Sequence, residues 1–339
     1  MNNILLKADN LVGLEYLLNK RNLRNKIDLI YIDPPYATGN QFFCTEQRSS
    51  TISRQQEGTL AYSDKLIGKE YLDFMRERLA LLYELLSERG SIYVHHDFKV
   101  GVRLNAVLED VFGAENYRNC IVRVKCNPKN FPRVGYGNTL DQIFFYTKSS
   151  NPIWHEPKLK YSKEEIKRLF PKTDAAGRSY TTVPLHAPGE TKKGATNLPF
   201  KGTLPPKGRH WRADIATLEE WDKQGLIERS STGNPRKKIY ADERQGKRAQ
   251  DLWNFKDPPY PIYPTEKNLE MLKLIVSTSS NEESVVLDAF CGSGSTLEAA
   301  QLLGRRWIGI DSSDRAIQVA KERIGSVASN QETYDYIEL

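Results

Sequence analysis

The chain has 339 residues and a formal net charge of +6, with a sequence isoelectric point of about 8.9. This length suits one large domain with an insertion, or two domains, and the mild positive charge has the sign expected for a nucleic-acid partner. No apolar run reaches membrane-spanning length and the first residues do not start a signal peptide, so we expect a cytoplasmic protein with no membrane partner. The four cysteines have no metal-ligand spacing, and we predict no metal site.

The chain opens with a strand–helix–strand pattern. Residues 4–8 form a predicted strand that ends at Asp9, and a helix with leucines on one face follows, with Asn10 as its predicted N-cap. The short apolar run 27–32 is typical of a buried parallel strand. Asp9 therefore stands at the carboxyl end of a strand, where it would either contact a cofactor or stabilise the helix N-terminus.

Asp33, Pro34, Pro35 and Tyr36 follow the second strand directly. Proline cannot continue a central strand, so the chain must leave the sheet at Pro34, at the edge where open α/β sheets bind ligands. The exocyclic amine of a nucleobase is a poor nucleophile, because its lone pair is delocalised into the ring. A carboxylate and a rigidly held backbone carbonyl can each accept one of its N–H groups, and a tyrosine ring can stack on an unstacked base.

The next segments are a long polar stretch, a helix and a third strand. Residues 37–62 are rich in Ser, Thr and Gln and predict a loop beside the site, either a lid or plain surface. Residues 69–88 predict a helix, and 91–97 a buried strand that carries His95 and His96. Adjacent strand residues point to opposite faces, so these two histidines cannot easily share one metal ion.

Two basic regions follow. The segment 125–139, between two strands that we predict to be an antiparallel pair, interleaves Lys129 and Arg133 with aromatic residues, as in DNA-facing loops. At about residue 149 the composition shifts, and 150–256 is rich in Lys, Arg, Gly, Pro and Trp. We interpret this insertion as a DNA-reading region rather than a merely solvated one. Its candidate DNA contacts are Arg209, Arg236, Lys237 and Lys238.

A glycine-rich turn occupies the C-terminal part of the chain. The strand that ends at Asp288 runs into a turn with Phe290, Gly292 and Gly294, and Asp311 ends the next strand. Such a turn lets the backbone approach a ligand, and the second acid can bind ribose hydroxyls. A nicotinamide-binding fingerprint needs a third glycine where Leu297 stands, and no Gly-Lys-Ser/Thr of a Walker loop follows.

The two motifs together resemble those of the β-group DNA amino-methyltransferases, including type II modification enzymes and type III modification subunits. The resemblance rests on Asp33–Tyr36 and on the turn Asp288–Gly294, with the catalytic motif preceding the cofactor motif. It implies S-adenosylmethionine as cofactor, with Asp288, Phe290, Gly292 and Gly294 at its methionine end. Asp311 would hold the ribose hydroxyls and Asp9 the adenine edge. Thr265 and Lys267 would lie near the cofactor carboxylate, although Asn268 replaces the usual Pro.

The fold implied is a circularly permuted, Rossmann-like α/β methyltransferase with an inserted target-recognition region. We predict the catalytic half at 1–149, the insertion at 150–256, the cofactor-binding half at 257–330 and a tail at 331–339. The expected reaction is methylation of N6 of a flipped adenine in duplex DNA, because relatives that modify cytosine N4 more often carry Ser at the position of Asp33. The alternatives are a cytosine-N4 enzyme, an inactive DNA-binding protein of the same fold, and an RNA or protein methyltransferase, which usually carries Asn in place of Asp33. A cognate restriction endonuclease and a homodimer are the further partners that the resemblance allows.

The tetrapeptide Asp-Pro-Pro-Tyr occurs twice, at 33–36 and at 257–260. The first copy ends a buried strand, whereas no strand pattern precedes the second, which runs into further prolines. We therefore predict that the first copy alone is catalytic.

Overall fold

The structure is a computed structural model that describes residues 1–35, 41–44, 59–63, 68–128, 132, 134–191, 194–244, 246–259, 261–263, 266–327 and 333–339, with backbone only for 41–44 and 59–63. The chain divides into two compact units. The first unit combines Met1–Pro157 with Gln250–Leu339, and the second is Lys158–Ala249. None of the described helices is long and apolar enough to cross a membrane.

The strands in chain order are β1 Asn3–Lys7, β2 Ile27–Ile32, β3 Gln41–Cys44, β4 Thr59–Ser63, β5 Leu86–His96, β6 Tyr117–Val124, β7 Leu140–Thr147, β8 Lys158–Leu159, β9 Lys172–Thr173, β10 Ser179–Pro184, β11 His186–Pro188, β12 Arg209–Trp211, β13 Ile227–Arg229, β14 Pro235–Tyr240, β15 Lys247–Arg248, β16 Leu252–Trp253, β17 Val285–Asp288, β18 Arg306–Asp311 and β19 Tyr334–Glu338. The helices are α1 Asn10–Asn19, α2 Gly68–Leu85, α3 Phe98–Phe112, α4 Lys163–Leu169, α5 Ile215–Lys223, α6 Leu269–Ser279, α7 Ser295–Leu302 and α8 Asp314–Val327.

The sheet of the first unit joins both ends of the chain. Among the described residues it has nine strands in the order β16-β6-β7-β5-β2-β17-β18-β1-β19. The five strands β5, β2, β17, β18 and β1 pair in parallel, while β7 pairs antiparallel with both β5 and β6. Because β1 lies directly beside β18, with Lys7 opposite Asp311, the prediction of a circularly permuted sheet is confirmed.

Helices cover both faces of this sheet. Alternate residues of the central strands point to opposite faces, so Ile30 and Ile32 of β2 join one core while Leu29 and Tyr31 join the other. The first core includes buried residues of α1, α2 and α3, and the second includes those of α6, α7 and α8. The result is a three-layer α/β/α arrangement whose strands are buried on both faces.

Some predicted boundaries were wrong. The predicted helix over 69–88 gives way to strand β5 at Leu86, five residues before the predicted start of that strand. The N-cap of α1 is Asp9 rather than Asn10, because the Asp9 carboxylate accepts from the Leu11 N–H at 2.8 Å. The polar stretch after Tyr36 contains the antiparallel pair β3–β4, and its remaining residues lie outside the described part of the chain.

The second unit has its own antiparallel sheet and a small core. Within the described residues, its sheet has the order β13-β14-β10-β9, and two further strand pairs are β11–β12 and β8–β15. The core consists of Leu185, Phe200, Trp211 and Leu218. No strand was predicted for this region, because alternating patterns this short and irregular are not distinctive in a sequence.

Candidate active site

Three acidic residues end neighbouring parallel strands. Asp33 follows β2, Asp288 is the last residue of β17, and Asp311 is the last residue of β18. Since β2, β17 and β18 are adjacent and parallel, their carboxyl ends meet at one edge of the sheet. This is the edge at which open α/β sheets bind ligands.

Asp33 lies in a shielded polar environment. Its side chain is 15% exposed, and Oδ2 forms an ion pair with the Lys267 ammonium. Oδ1 lies 4.0 Å from Nδ1 of His95, whose side chain is fully buried. Pro34 is buried and Pro35 half-buried, while Tyr36 lies outside the described residues.

The glycine-rich turn connects β17 to α7 in a backbone conformation that needs glycine. Gly292 has φ +48° and Gly294 has φ +78°, both in the left-handed region that other residues rarely adopt. A Cβ at Gly294 would also lie 3.0 Å from the Ala320 Cβ. The turn therefore exposes a main-chain cradle directly after Asp288 and places its end at the N-terminus of α7.

Leu297 stands where a dinucleotide-binding turn has its third glycine, and Gly309 of β18 provides the space that this leucine needs. Leu297 is fully buried between α7 and the sheet. A Cβ at Gly309 of β18 would lie 2.6 Å from Leu297 Cδ1 and 3.2 Å from Cys291 Sγ. The helix and strand thus approach closely because the strand, and not the helix, carries the glycine.

Burial governs both acids of this half of the site. Burial raises the pKa of Asp288 to about 7. Hydrogen bonds from Thr296 and from the Phe290 N–H, the latter at 3.0 Å, act in the opposite direction but are outweighed. Burial also raises the pKa of Asp311, whose Oδ2 accepts from the Gly292 N–H and whose Oδ1 accepts from the Ser313 N–H, both at 2.9 Å. The Ser312 N–H is a third backbone donor to this carboxylate, which leaves about one of its four acceptor positions for a ligand hydroxyl.

These residues fit a cationic nucleoside. A buried carboxyl group with a pKa near neutrality is stabilised as an anion by a positively charged ligand. S-adenosylmethionine carries a sulfonium and an ammonium group, and its ribose offers hydroxyl donors. Asp288, the Gly292–Gly294 cradle and Asp311 supply these complementary groups along adjacent strand ends.

Asp9 and Lys267 have structural partners of their own. Besides capping α1, the Asp9 carboxylate lies 3.4 Å from the Arg78 guanidinium, and its side chain is 58% exposed. Lys267 was predicted near the cofactor carboxylate, and in the structure its ammonium pairs with Asp33. Asn268 caps α6 by accepting from the Met271 N–H at 3.1 Å, a bond that explains the polar residue at this position. Thr265 lies outside the described residues.

The candidate DNA-contacting residues are partly described. Arg209 lies in β12, and Arg236, Lys237 and Lys238 lie in β14 of the second unit. The Lys237 ammonium lies 3.3 Å from the centroid of the Trp221 ring, and Arg236 donates to Thr182. Lys129 and Arg133 fall outside the described residues.

The second Asp-Pro-Pro-Tyr copy has different surroundings. It follows the two-residue strand β16, which pairs in parallel with β6 and which the sequence did not predict. The Asp257 side chain is 40% exposed and forms an ion pair with the fully buried Arg123. Arg123 also lies 3.5 Å from Asp141, and neither Arg123 nor Asp141 was singled out in the sequence. The charge of Arg123 inside the apolar strand pattern 121–124 was a signal that could have found that residue, whereas Asp141 stands before the apolar run 143–146 and gave no such signal.

Comparisons with known proteins agree with this geometry. The family model described as DNA methylase (N6_N4_Mtase) matches residues 27–322. The type II methyltransferase M.EcaI of Enterobacter cloacae is 42% identical over 327 residues, which cover 95% of this chain and 69% of M.EcaI. The type III Mod subunit StyLTI of Salmonella typhimurium is 24% identical, over 96% of this chain and 57% of that subunit.

Solved structures share the fold. TTHA0409 of Thermus thermophilus, complexed with S-adenosyl-L-methionine, matches with a TM-score of 0.51 and 14% identity, covering 100% of this chain and 98% of that chain. The cytosine-N4-specific PvuII DNA methyltransferase matches with a TM-score of 0.52 and 10% identity, covering 100% of this chain and 95% of that chain. At these identities the likeness shows the methyltransferase fold alone.

Proposed function

This chain belongs to the DNA methylase family of the N6/N4 type, and we propose that it transfers a methyl group from S-adenosylmethionine to N6 of a flipped adenine in duplex DNA. The observation that carries the proposal is the adjacency of β2 and β17. It brings the amine-accepting motif at Asp33 beside the cofactor turn that begins at Asp288. The first motif would bind the amine that is methylated, and the second would bind the cofactor that supplies the methyl group.

The cofactor would be held by the cradle at the ends of β17 and β18. The Gly292 and Gly294 backbone would allow its close approach, Asp288 would face its positive charge, and Asp311 would accept from its hydroxyls. The bound cofactor supplies an electrophilic methyl group on a sulfonium. Phe290 is half-buried beside Phe74, with ring centroids 6.3 Å apart, and would contribute an apolar wall at this end.

Asp33 and Pro34 would prepare the nucleophile. The Asp33 carboxylate accepts one N–H of the adenine amine and the Pro34 carbonyl accepts the other, which draws the nitrogen toward tetrahedral geometry. The nitrogen lone pair, directed by Asp33 and Pro34, would attack the sulfonium-bound methyl group that the cofactor supplies when bound, the cofactor would leave as a neutral thioether, and the excess N–H proton would pass to solvent. A carboxylate has about four acceptor positions, so Asp33 can receive the amine while Lys267 remains beside it.

The second unit is proposed as the target-recognition region. Its basic residues Arg209, Arg236, Lys237 and Lys238 would contact phosphates or base edges. A cognate restriction endonuclease and a second copy of the chain stay predictions, as does the cytoplasmic location.

The test is nucleoside analysis of DNA from a host that expresses the chain. N6-methyladenine should appear with the wild-type chain and be absent with Asp33→Ala, which removes one amine acceptor. Sequencing that identifies modified bases would then give the recognition site. N4-methylcytosine instead of N6-methyladenine would replace the proposal with the cytosine alternative.

An inactive DNA-binding protein of the same fold is a further alternative. It predicts no methylated base of either kind with the wild-type chain. Calorimetry with S-adenosylmethionine and with duplex DNA separates the cases, since failure to bind the cofactor while DNA still binds would favour the inactive protein.

A further inference from the structure

A row of polar side chains crosses the sheet beside Asp33. Tyr31 of β2, His95 of β5, Asp141 of β7 and Arg123 of β6 are all buried. The register places His95 opposite Asp33, because the preceding residues Ile32 and Val94 pair across β2 and β5. Arg123 and Asp141 are direct partners across β6 and β7. Four adjacent strands thus hold one continuous polar row that ends at the proposed catalytic carboxylate.

Hydrogen bonds fix both ring nitrogens of His95. Nε2 lies 3.2 Å from Oδ2 of Asp141, and Nδ1 lies 2.8 Å from the Tyr31 hydroxyl. Burial alone would raise the pKa of Asp141, but the hydrogen bond with His95 and the Lys125 ammonium outweigh burial and hold that pKa well below its usual range. Asp141 is therefore a carboxylate, which can only accept.

The consequence is a single tautomer. Nε2 must carry the proton that Asp141 accepts, and Nδ1 keeps a lone pair that accepts the Tyr31 O–H. Burial lowers the pKa of His95, and Lys267 acts in the same direction, although Asp141 and Asp33 oppose the shift. At neutral pH the ring that faces Asp33 is thus uncharged, with no proton on the nearer nitrogen.

We propose that His95 is a positioning residue, held by Asp141 in the Nε2–H tautomer so that Nδ1 accepts the Tyr31 O–H and keeps that proton from competing with the substrate amine for Asp33. Nδ1 lies 2.8 Å from the Tyr31 hydroxyl and 4.0 Å from Asp33 Oδ1, so the hydroxyl and the carboxylate lie next to the same ring nitrogen. In the other tautomer the Nδ1–H would donate to the Tyr31 oxygen, and the Tyr31 hydrogen, released from Nδ1, would donate to Asp33 and occupy a lone pair that the adenine amine needs. This inference rests on the proposed function, because it concerns how Asp33 is kept ready for an amine.

The same geometry argues against His95 as a catalytic base. Nδ1 already accepts the Tyr31 hydrogen, and Nε2 is engaged with Asp141. Asp141 orients His95 and selects its tautomer, as the buried carboxylate does for the histidine of a hydrolase triad.

The first test reads the tautomer directly. Nuclear magnetic resonance of the protein labelled with ¹⁵N-histidine distinguishes the Nε2–H and Nδ1–H forms, and the five histidines are assigned by single substitutions. Wild-type His95 should be neutral with its proton on Nε2. In Asp141→Asn, the new amide can donate to Nε2, and the proton should move to Nδ1. A wild-type signal from Nδ1–H, or from a doubly protonated ring at neutral pH, would overturn the proposal.

The second test measures methyl transfer in a single turnover. Asp141→Asn should slow the chemical step by at least about tenfold, with dissociation constants for cofactor and DNA within about twofold of wild type. His95→Gln should also slow the step, and the double variant should be no slower than His95→Gln. Additive losses would mean that Asp141 acts only through Arg123 and Lys125, which it also contacts, and would overturn the proposal.

His96→Gln is the matched control. His96 is equally buried on the same strand but points to the other face, with its ring 4.3 Å from the Phe144 ring. Among the described residues its Nε2 has no hydrogen-bond partner. Its substitution should leave the transfer rate within about twofold, and an effect as large as that of His95→Gln would overturn the proposal. If the wild-type protein methylated no DNA, the proposed function would fail while the tautomer measurement could still succeed.

Discussion

Arg123 and Asp257 form an ion pair that holds the second Asp-Pro-Pro-Tyr copy against the edge of the sheet. The Arg123 Nε also donates to the Phe255 carbonyl at 2.7 Å, and the Asp257 N–H donates to the Lys125 carbonyl at 2.9 Å. Asp33 instead stands at the carboxyl end of a central strand, beside the glycine-rich turn. Two identical tetrapeptides therefore have different neighbours, one at the ligand edge and one beside a buried cation.

We expect the two aspartates to differ sharply on substitution. Asp33→Ala should abolish methyl transfer while fold and cofactor binding are retained, because the missing hydrogen bond matters mainly in the transition state. Asp257→Ala should leave the rate of the chemical step within roughly tenfold of wild type, about 1.4 kcal/mol. The Arg123 guanidinium would still contact Asp141 and donate to the Phe255 carbonyl. Single-turnover rates on a methylatable duplex measure this difference. Equal losses at both positions, or a larger loss at Asp257, would mean that the first copy is not the sole catalytic one.

The sequence predicted the strand ends better than the contacts between them. Apolar runs that stop at Asp33, Asp288 and Asp311 are local patterns, and the order of the two motifs suggested that both chain ends share one sheet. The Lys267–Asp33 and Arg123–Asp257 pairs join residues more than a hundred positions apart, through side-chain directions that no local pattern encodes. Three of these four residues lie outside the strands, so only the three-dimensional arrangement of the loops brings the partners together.

Asp288 should make stability depend on pH. Its usual pKa is 3.8, and burial raises the pKa in the folded protein to about 7. The stability that Asp288 contributes is therefore present in acid and is lost as the pH rises through about 7. Asp288→Asn should raise the melting temperature of the cofactor-free protein at about pH 9 more than at about pH 5.

Asp335→Asn provides a control of opposite sign for this experiment. The hydrogen bond from Arg21 lowers the pKa of Asp335, so its contribution is present near neutrality and lost only in acid. This substitution should lower the melting temperature at neutral pH or leave it unchanged. A gain at high pH from Asp335→Asn as large as that from Asp288→Asn would indicate a general charge effect instead of burial at Asp288.

Gly309 and Leu297 should be coupled in stability. An alanine methyl at 309 would overlap Leu297 Cδ1 at 2.6 Å, so Gly309→Ala should cost about 1–3 kcal/mol of unfolding free energy. Leu297→Ala alone should cost about 2–5 kcal/mol, because it leaves a cavity in the core. Together the two changes should cost less than their sum, since the new methyl occupies part of the vacated space. Urea denaturation of the four proteins measures the coupling, and strict additivity would show that the two residues do not share this space.

Neutralising the basic residues of β14 should weaken DNA binding without affecting the cofactor. Lys238→Gln is the mildest single change, because the Lys238 ammonium lies 5.5 Å from the Tyr180 ring centroid, whereas the Lys237 ammonium lies 3.3 Å from the Trp221 ring centroid and Arg236 donates to Thr182. Charge reversal at 236, 237 and 238 should weaken binding further. Removing one phosphate contact should reduce the slope of log affinity against log salt by about 0.9.

The matched control for this series is Lys273→Gln. Lys273 lies on α6 of the first unit, paired with Glu270, and its substitution removes the same charge away from β14. DNA titrations across a salt series, with cofactor calorimetry in parallel, measure both effects. If the slope were unchanged in the Lys238 and triple variants, or fell equally in Lys273→Gln, the basic residues of β14 would not contact phosphates, and the second unit would read DNA by other side chains or not at all.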